Sequence, residues 1–173
     1  MSEHRALVQW EHAGGDFVRR QYSRAHRWIF DGGITVPASA SPSNVPLPFS
    51  DASAVDPEEA YVAAIASCHM LTFLFVAARD GIEVVRYEDD AVGHMTPNEH
   101  GVPWVSTVEL APRVTYAPGR APEPAHEAEQ HQRAPEQSYI ANSVRTEIRI
   151  VGAPATRDGA TRSPARRAGG RGA

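Results

Sequence analysis

The stretch from Ala60 to Ala78 constrains this chain more than any other feature, because its nineteen residues include only Ser67, His69 and Thr72 as polar members. Asp56 before it offers an N-cap, Pro57 fits the first helical position, and Glu58 and Glu59 suit the positive end of a helix dipole. Gly81 marks the stop. A helix apolar on every side needs cover on every side. Its length also admits a bilayer-spanning reading. The charges at both ends, Glu58 and Glu59 then Arg79 and Asp80, with no asymmetry that would set a topology, favour a core helix, so no membrane partner is expected. One small sheet cannot cover such a helix alone. A second copy of the chain is the expected remaining cover, and Ala60, Ala63, Ala64 and Ala66 would allow close approach.

Around this helix the chain reads as strands and loops. Ala6 to His12 alternates apolar and polar residues, and a second run from Phe17 to Phe30 follows Gly14 and Gly15, which predicts strands joined by tight turns. Pro37, Pro42, Pro46 and Pro48 make the region from Pro37 to Val55 an ordered loop. Ile82 to Met95 and Val102 to Tyr116 read as a hairpin about the turn Pro97 to Gly101. A polar helix is expected from Pro122 to Arg133, interrupted by Pro135, then a short helix from Pro135 to Ser143 and a strand from Arg145 to Val151. The class is α+β. One domain is expected over residues 1–151, followed by an arginine-, glycine- and alanine-rich tail, residues 152–173, of disordered composition.

Charge and cysteine usage exclude several functions. The net charge is −4, yet the last 22 residues carry five arginines against Asp158 alone, so the body is distinctly acidic. An acidic body lacks the clustered cations that phosphate contacts require, and no nucleic-acid partner is expected of it. All 17 basic residues are arginine, a bias that carries no functional reading by itself. A single cysteine rules out an internal disulfide framework and a multi-thiolate zinc site. No apolar run of signal-peptide type opens the sequence, so a reducing cytoplasm is the expected location. His126 and His131 flank two glutamates but stand five apart, whereas the zinc-protease motif needs four, and neither a metal nor another cofactor is expected.

The lone cysteine, Cys68, would by composition be an apolar filler of a buried helix. Its context argues otherwise. The segment Asp56-Pro-Glu-Glu-Ala-Tyr-Val-Ala-Ala-Ile-Ala-Ser-Cys-His-Met70 resembles the signature of the OsmC/Ohr family, the osmotically induced and organic hydroperoxide resistance proteins. In that family a Pro-Glu pair precedes the peroxidatic cysteine by this spacing. The resemblance extends to His26-Arg-Trp-Ile-Phe-Asp-Gly-Gly33, the Pro/Ser-rich loop, Tyr87-Glu-Asp-Asp90 and Tyr139-Ile-Ala-Asn-Ser-Val144, covering roughly residues 6–151.

The resemblance implies an intertwined homodimer whose two long central helices pack between antiparallel sheets. It also implies that Cys68 is accompanied by an arginine from the N-terminal strands and by the glutamate of the Pro-Glu pair, here Glu58. Arg24 is the arginine chosen, ahead of Arg20 and Arg19. A nearby guanidinium favours a thiolate, the nucleophilic form, and Glu58 could hold that guanidinium in a bidentate pair. Glu58 and Cys68 of one continuous helix are about 15 Å apart, so the site is expected to be completed across the dimer. His69 points about 100° away from Cys68 and reads as a packed, hydrogen-bonded residue rather than a base for it.

One departure matters. Where the family carries a second, resolving cysteine before Tyr-Ile-Ala-Asn-Ser, this chain has Ser138, and a hydroxyl cannot trap a sulfenic acid as a disulfide. Three readings follow: a one-cysteine peroxidase acting on organic or hydrogen peroxide and regenerated by an external thiol; a redox-sensing or binding dimer; or a non-catalytic dimer.

Overall fold

The computed structural model describes residues 2–152, and the tail beyond Gly152 lies outside the described residues. Helix α1 spans Pro57–Arg79. Its start is a capping box: the Asp56 carboxylate accepts from the Glu59 amide at 2.8 Å and the Glu59 carboxylate accepts from the Asp56 amide at 3.1 Å. Such a cap contributes about 1 kcal/mol and fixes which residue begins the helix. Gly81 ends it with a φ of 74°, a conformation that glycine adopts without a Cβ penalty.

The expectation of cover on every side of α1 holds for one side only within the chain. Ile65, His69, Phe73, Val76 and Ala77 are buried. Ile65 packs on Val108 and Leu110, while Phe73 and Ala77 pack on Ala134. On the opposite face, Ala64, Ser67, Leu71, Phe75 and Ala78 form an exposed stripe, with Leu71 at 61% and Phe75 at 60% of full exposure. By length and composition α1 could cross a bilayer, its richest window having a mean hydropathy of 1.9.

Strands β1 (Ala6–Gln9), β2 (His26–Phe30) and β3 (Thr35–Ala38) form an antiparallel sheet in that order. The second run is thus a strand only from His26. From Asp16 to Gln21 the chain makes a tight loop instead, bridged between those residues, with Arg20 at a φ of 62°. Trp10, Phe17 and Tyr22 draw the loop together, Phe17 stacking on Tyr22 at 4.6 Å and Trp10 meeting Tyr22 edge-on at 5.5 Å. Strand β3 extends through Pro37, which stands at the edge of the sheet, where proline leaves no internal ladder bond unmade.

The expected hairpin is present but bent. Strands β4 (Val84–Asp89) and β5 (Val92–Pro97) return as β6 (Pro103–Leu110) and β7 (Pro112–Tyr116), with β4 on β7 and β5 on β6. Register carries through the corner: Asp89 faces Pro112, and three residues later Val92 faces Glu109. Asp89 secures the corner by accepting from the Ala111 amide at 2.7 Å, and burial pushes its carboxyl above the usual range.

Pro135 does not interrupt the second helix, which runs unbroken as α2 (Pro124–Gln137). The proline lies in the last turn, and buried Gln130, His131 and Ala134 hold this helix against α1. The expected short helix shrinks to a 3-10 turn, Ala141–Ser143. Strand β8 (Glu147–Ile150) then joins β6 in parallel, so the sheets are not purely antiparallel; α2 and the 3-10 turn supply the long crossover that a parallel pair requires.

Candidate functional site around Cys68

Cys68 lies midway along α1 and is half-buried, at the border between the packed side and the exposed stripe. The stretch after α2 passes directly against it. The Ser138 hydroxyl donates to the Cys68 sulfur at 2.9 Å and accepts from the Ala141 amide at 3.3 Å. Ser138 is 2% exposed. Its backbone is held as firmly: its amide donates to Pro135, and its carbonyl accepts from the Asn142 side chain at 2.8 Å. Thr72 donates its hydroxyl to the Cys68 carbonyl at 2.9 Å, a bond within α1. Ser138 is therefore in direct contact with Cys68.

Arg24 and Glu58 stand elsewhere in the protomer. The Arg24 guanidinium donates to the carbonyls of Arg20 and Tyr22 and stacks 3.8 Å over the Tyr22 ring. With Trp10, Phe17, Tyr22, His26 and Pro57 it lines a cavity of about 470 Å³ beside the first residue of α1. Arg19 pairs instead with Asp16 at 3.6 Å and is exposed, as is Arg20. Of the three arginines, Arg24 alone is half-buried. Among the described residues no hydrogen bond or ion pair links Arg24 or Glu58 to Cys68, or to each other. Glu58 is ten residues before Cys68 on an unbroken helix, about 15 Å of rise.

Glu58 shares a separate cavity of about 380 Å³ with Tyr61, Trp104, Arg145 and Thr146. Arg145 rests its guanidinium 5.4 Å from the Trp104 ring centre. Sequence reasoning did not single out Arg145, since no spacing rule connects a residue just before β8 to the start of α1.

His69 is packed and hydrogen-bonded, as its position on the helix implied. Its Nε2 lies 3.1 Å from Nδ1 of His131, the rings stack at 5.4 Å, and Phe73 stacks on His131 at 4.2 Å. Burial depresses both imidazoles to about 4, and for His69 the neighbouring His131 adds to this. His126 lies apart from this pair, 3.7 Å from Asp80. Among the described residues no group of three or more His, Cys, Asp or Glu side chains could hold a metal ion.

A chain with this helix-and-sheet arrangement and a cysteine on its central helix belongs to the OsmC-like protein family, whose signature matches residues 50–151. An OsmC-like protein of unknown function from Vibrio cholerae is 46% identical over 87% of this chain and 99% of its own, with a TM-score of 0.84. The fold is shared by an organic hydroperoxide resistance protein OsmC from Legionella pneumophila, 15% identical over 89% of this chain and 98% of its own, with a TM-score of 0.65. An organic hydroperoxide resistance protein from Elizabethkingia anophelis, 14% identical over 90% of this chain and 98% of its own, has a TM-score of 0.66. None of the curated proteins matches the chain.

Proposed function

We propose that this protein is a thiol-dependent peroxidase-like member of the OsmC/Ohr family that reduces organic or hydrogen peroxides through Cys68. The observation that carries the reading is the half-buried Cys68 sulfur, in contact with buried Ser138 and bordering the exposed stripe of α1. Membership of a family whose structural relatives include organic hydroperoxide resistance proteins supports a role in peroxide resistance or redox chemistry.

The thiolate attacks one peroxide oxygen and the O–O bond breaks; the leaving alkoxide, or hydroxide from hydrogen peroxide, takes a proton and departs as the alcohol or as water. Cys68, oxidised by two electrons, is then a sulfenic acid. A first external thiol condenses with it, releasing water and leaving a mixed disulfide, and a second external thiol displaces the first to restore Cys68. The working unit is a homodimer in the reducing cytoplasm, in which Arg24 and Glu58 complete the site across the subunit interface. The rigid cradle of Arg24, fixed by two carbonyls and Tyr22, supports its assignment over Arg19 and Arg20.

Purified protein given one equivalent of cumene hydroperoxide should lose its single thiol within seconds and regain it with dithiothreitol. Cys68→Ser should consume no peroxide while keeping the same circular dichroism spectrum. A thiol that stays titratable under excess peroxide would sink the peroxidase reading and leave a non-catalytic dimer. The presence of one cysteine in the whole chain favours a second reading, a redox sensor, because nothing within the protein can resolve the oxidised sulfur. Oxidation without turnover under any reductant would select it.

A further inference from the structure

The geometry points to Ser138 as a positioning residue for the Cys68 sulfur, one that donates to its anionic and oxidised forms. This deepens the peroxidase-like reading and rests on it. A hydroxyl has one proton to donate, and where it goes depends on what occupies the oxygen's lone pairs. Here the Ala141 amide, at the start of the 3-10 turn, donates to that oxygen at 3.3 Å, while the sulfur lies 2.9 Å away. Accepting one hydrogen bond polarises the hydroxyl for donating another.

Burial keeps water from competing, since Ser138 is almost wholly enclosed. The backbone that carries the hydroxyl is held by two bonds, the Ser138 amide donating to the Pro135 carbonyl and the Ser138 carbonyl accepting from the Asn142 side chain. Replacing a second thiol with this group does two things at once. It removes the partner that would close a disulfide, and it leaves a fixed donor where that partner would stand. A donor aimed at the sulfur stabilises a thiolate more than a neutral thiol, and it can serve a sulfenate equally well.

The test is alkylation of Cys68 by iodoacetamide across pH in the wild type, Ser138→Ala, Ser138→Thr and Ser138→Cys. Near pH 7, Ser138→Ala should react about threefold more slowly than the wild type, and the order should reverse toward high pH, because a thiolate that has lost its donor is the stronger nucleophile. Ser138→Thr, which keeps the hydroxyl, should follow the wild type. Superimposable profiles for wild type and Ser138→Ala would overturn the inference, and so would failure of Ser138→Thr to restore the profile.

Ser138→Cys tests the contact independently of any folding defect in the alanine variant. One equivalent of diamide, a thiol oxidant that is not a peroxide, should take its titratable thiols from two to none, through a disulfide between Cys68 and the introduced thiol. Two thiols surviving that treatment, in a variant that alkylates normally, would show that the positions do not touch. Alkylation needs no peroxide, so a protein that proves inert to peroxides would fail the functional reading without disturbing this result.

Discussion

At the scale of single residues, the His69 and His131 pair shows how a buried polar contact fixes a proton. One ring must donate and the other accept across their 3.1 Å contact. His69 Nδ1 is buried without a partner. An unpaired N–H there would cost more than an unpaired lone pair, so His69 is the donor through Nε2 and His131 carries its own proton on Nε2. Neither ring can accept a further proton without a charge appearing beside Phe73 in the packed core. Both folded values, about 4, lie below the ordinary histidine value near 6.5, so the unfolded chain binds more protons between those limits. This contribution to stability is complete above about pH 6.5 and is lost as pH falls toward 4. The urea midpoint should drop over that interval in the wild type, and a His69→Leu, His131→Leu double variant should show a shallower drop. Equal slopes would mean that the pair does not titrate as described.

At the scale of elements, α1 carries the fold, and its core residues should be the most sensitive. Phe73 is fully buried between α2 and β4, and Phe73→Ala should cost about 3–5 kcal/mol in equilibrium denaturation, because neighbours anchored to two other elements cannot collapse into the space. A cost below about 1 kcal/mol would contradict that packing. This helix was legible from sequence because cap, proline, acidic first turn and terminal glycine all agree, and the strand-to-strand hairpin was legible from the turn between its two halves at Pro97 to Gly101. The loop at Asp16 to Gln21 was not, because Phe17, Val18 and Tyr22 suit a strand by residue type, whereas the Phe17 and Tyr22 rings gather on Trp10 and Val18 is exposed. Nor was the continuity of α2 past Pro135, since proline disrupts mainly the residues before it and those are secured by contacts with α1. Of the candidate site, Cys68 and Ser138 were singled out only by the resemblance to the family's signature. Their contact could not be read from the sequence, because 70 residues of chain separate them.

At the scale of the whole molecule, much apolar surface faces outward from a single protomer. Leu71 and Phe75 lie along one helix face, and the N-terminal sheet is joined to the remainder mainly through the proline-rich loop, where the Ser39 amide donates to the Val55 carbonyl and the Val55 amide donates to the Pro37 carbonyl. That sheet leaves Leu7, Val8 and Phe30 exposed, apolar surface that a packing partner would bury. A second copy supplies one in the proposed dimer, and its melting temperature should then rise with protein concentration. A Leu71→Glu, Phe75→Glu variant should sediment as monomer or aggregate; a stable dimer of unchanged melting temperature would remove this stripe from the interface. The bent hairpin carries a further consequence for how such a protein can change length. Alternation of side chains runs unbroken through the corner at Asp90 and Ala91, while its irregularities fall on either side, between Val84 and Arg86 and between His94 and Met95. Losing one residue from a single strand at the corner would therefore turn one arm inside out, presenting hydrocarbon to water and polar groups to α1. Insertions and deletions are best accommodated at those two bulges or in the Asn98 to Val102 turn, and the corner itself must keep its count.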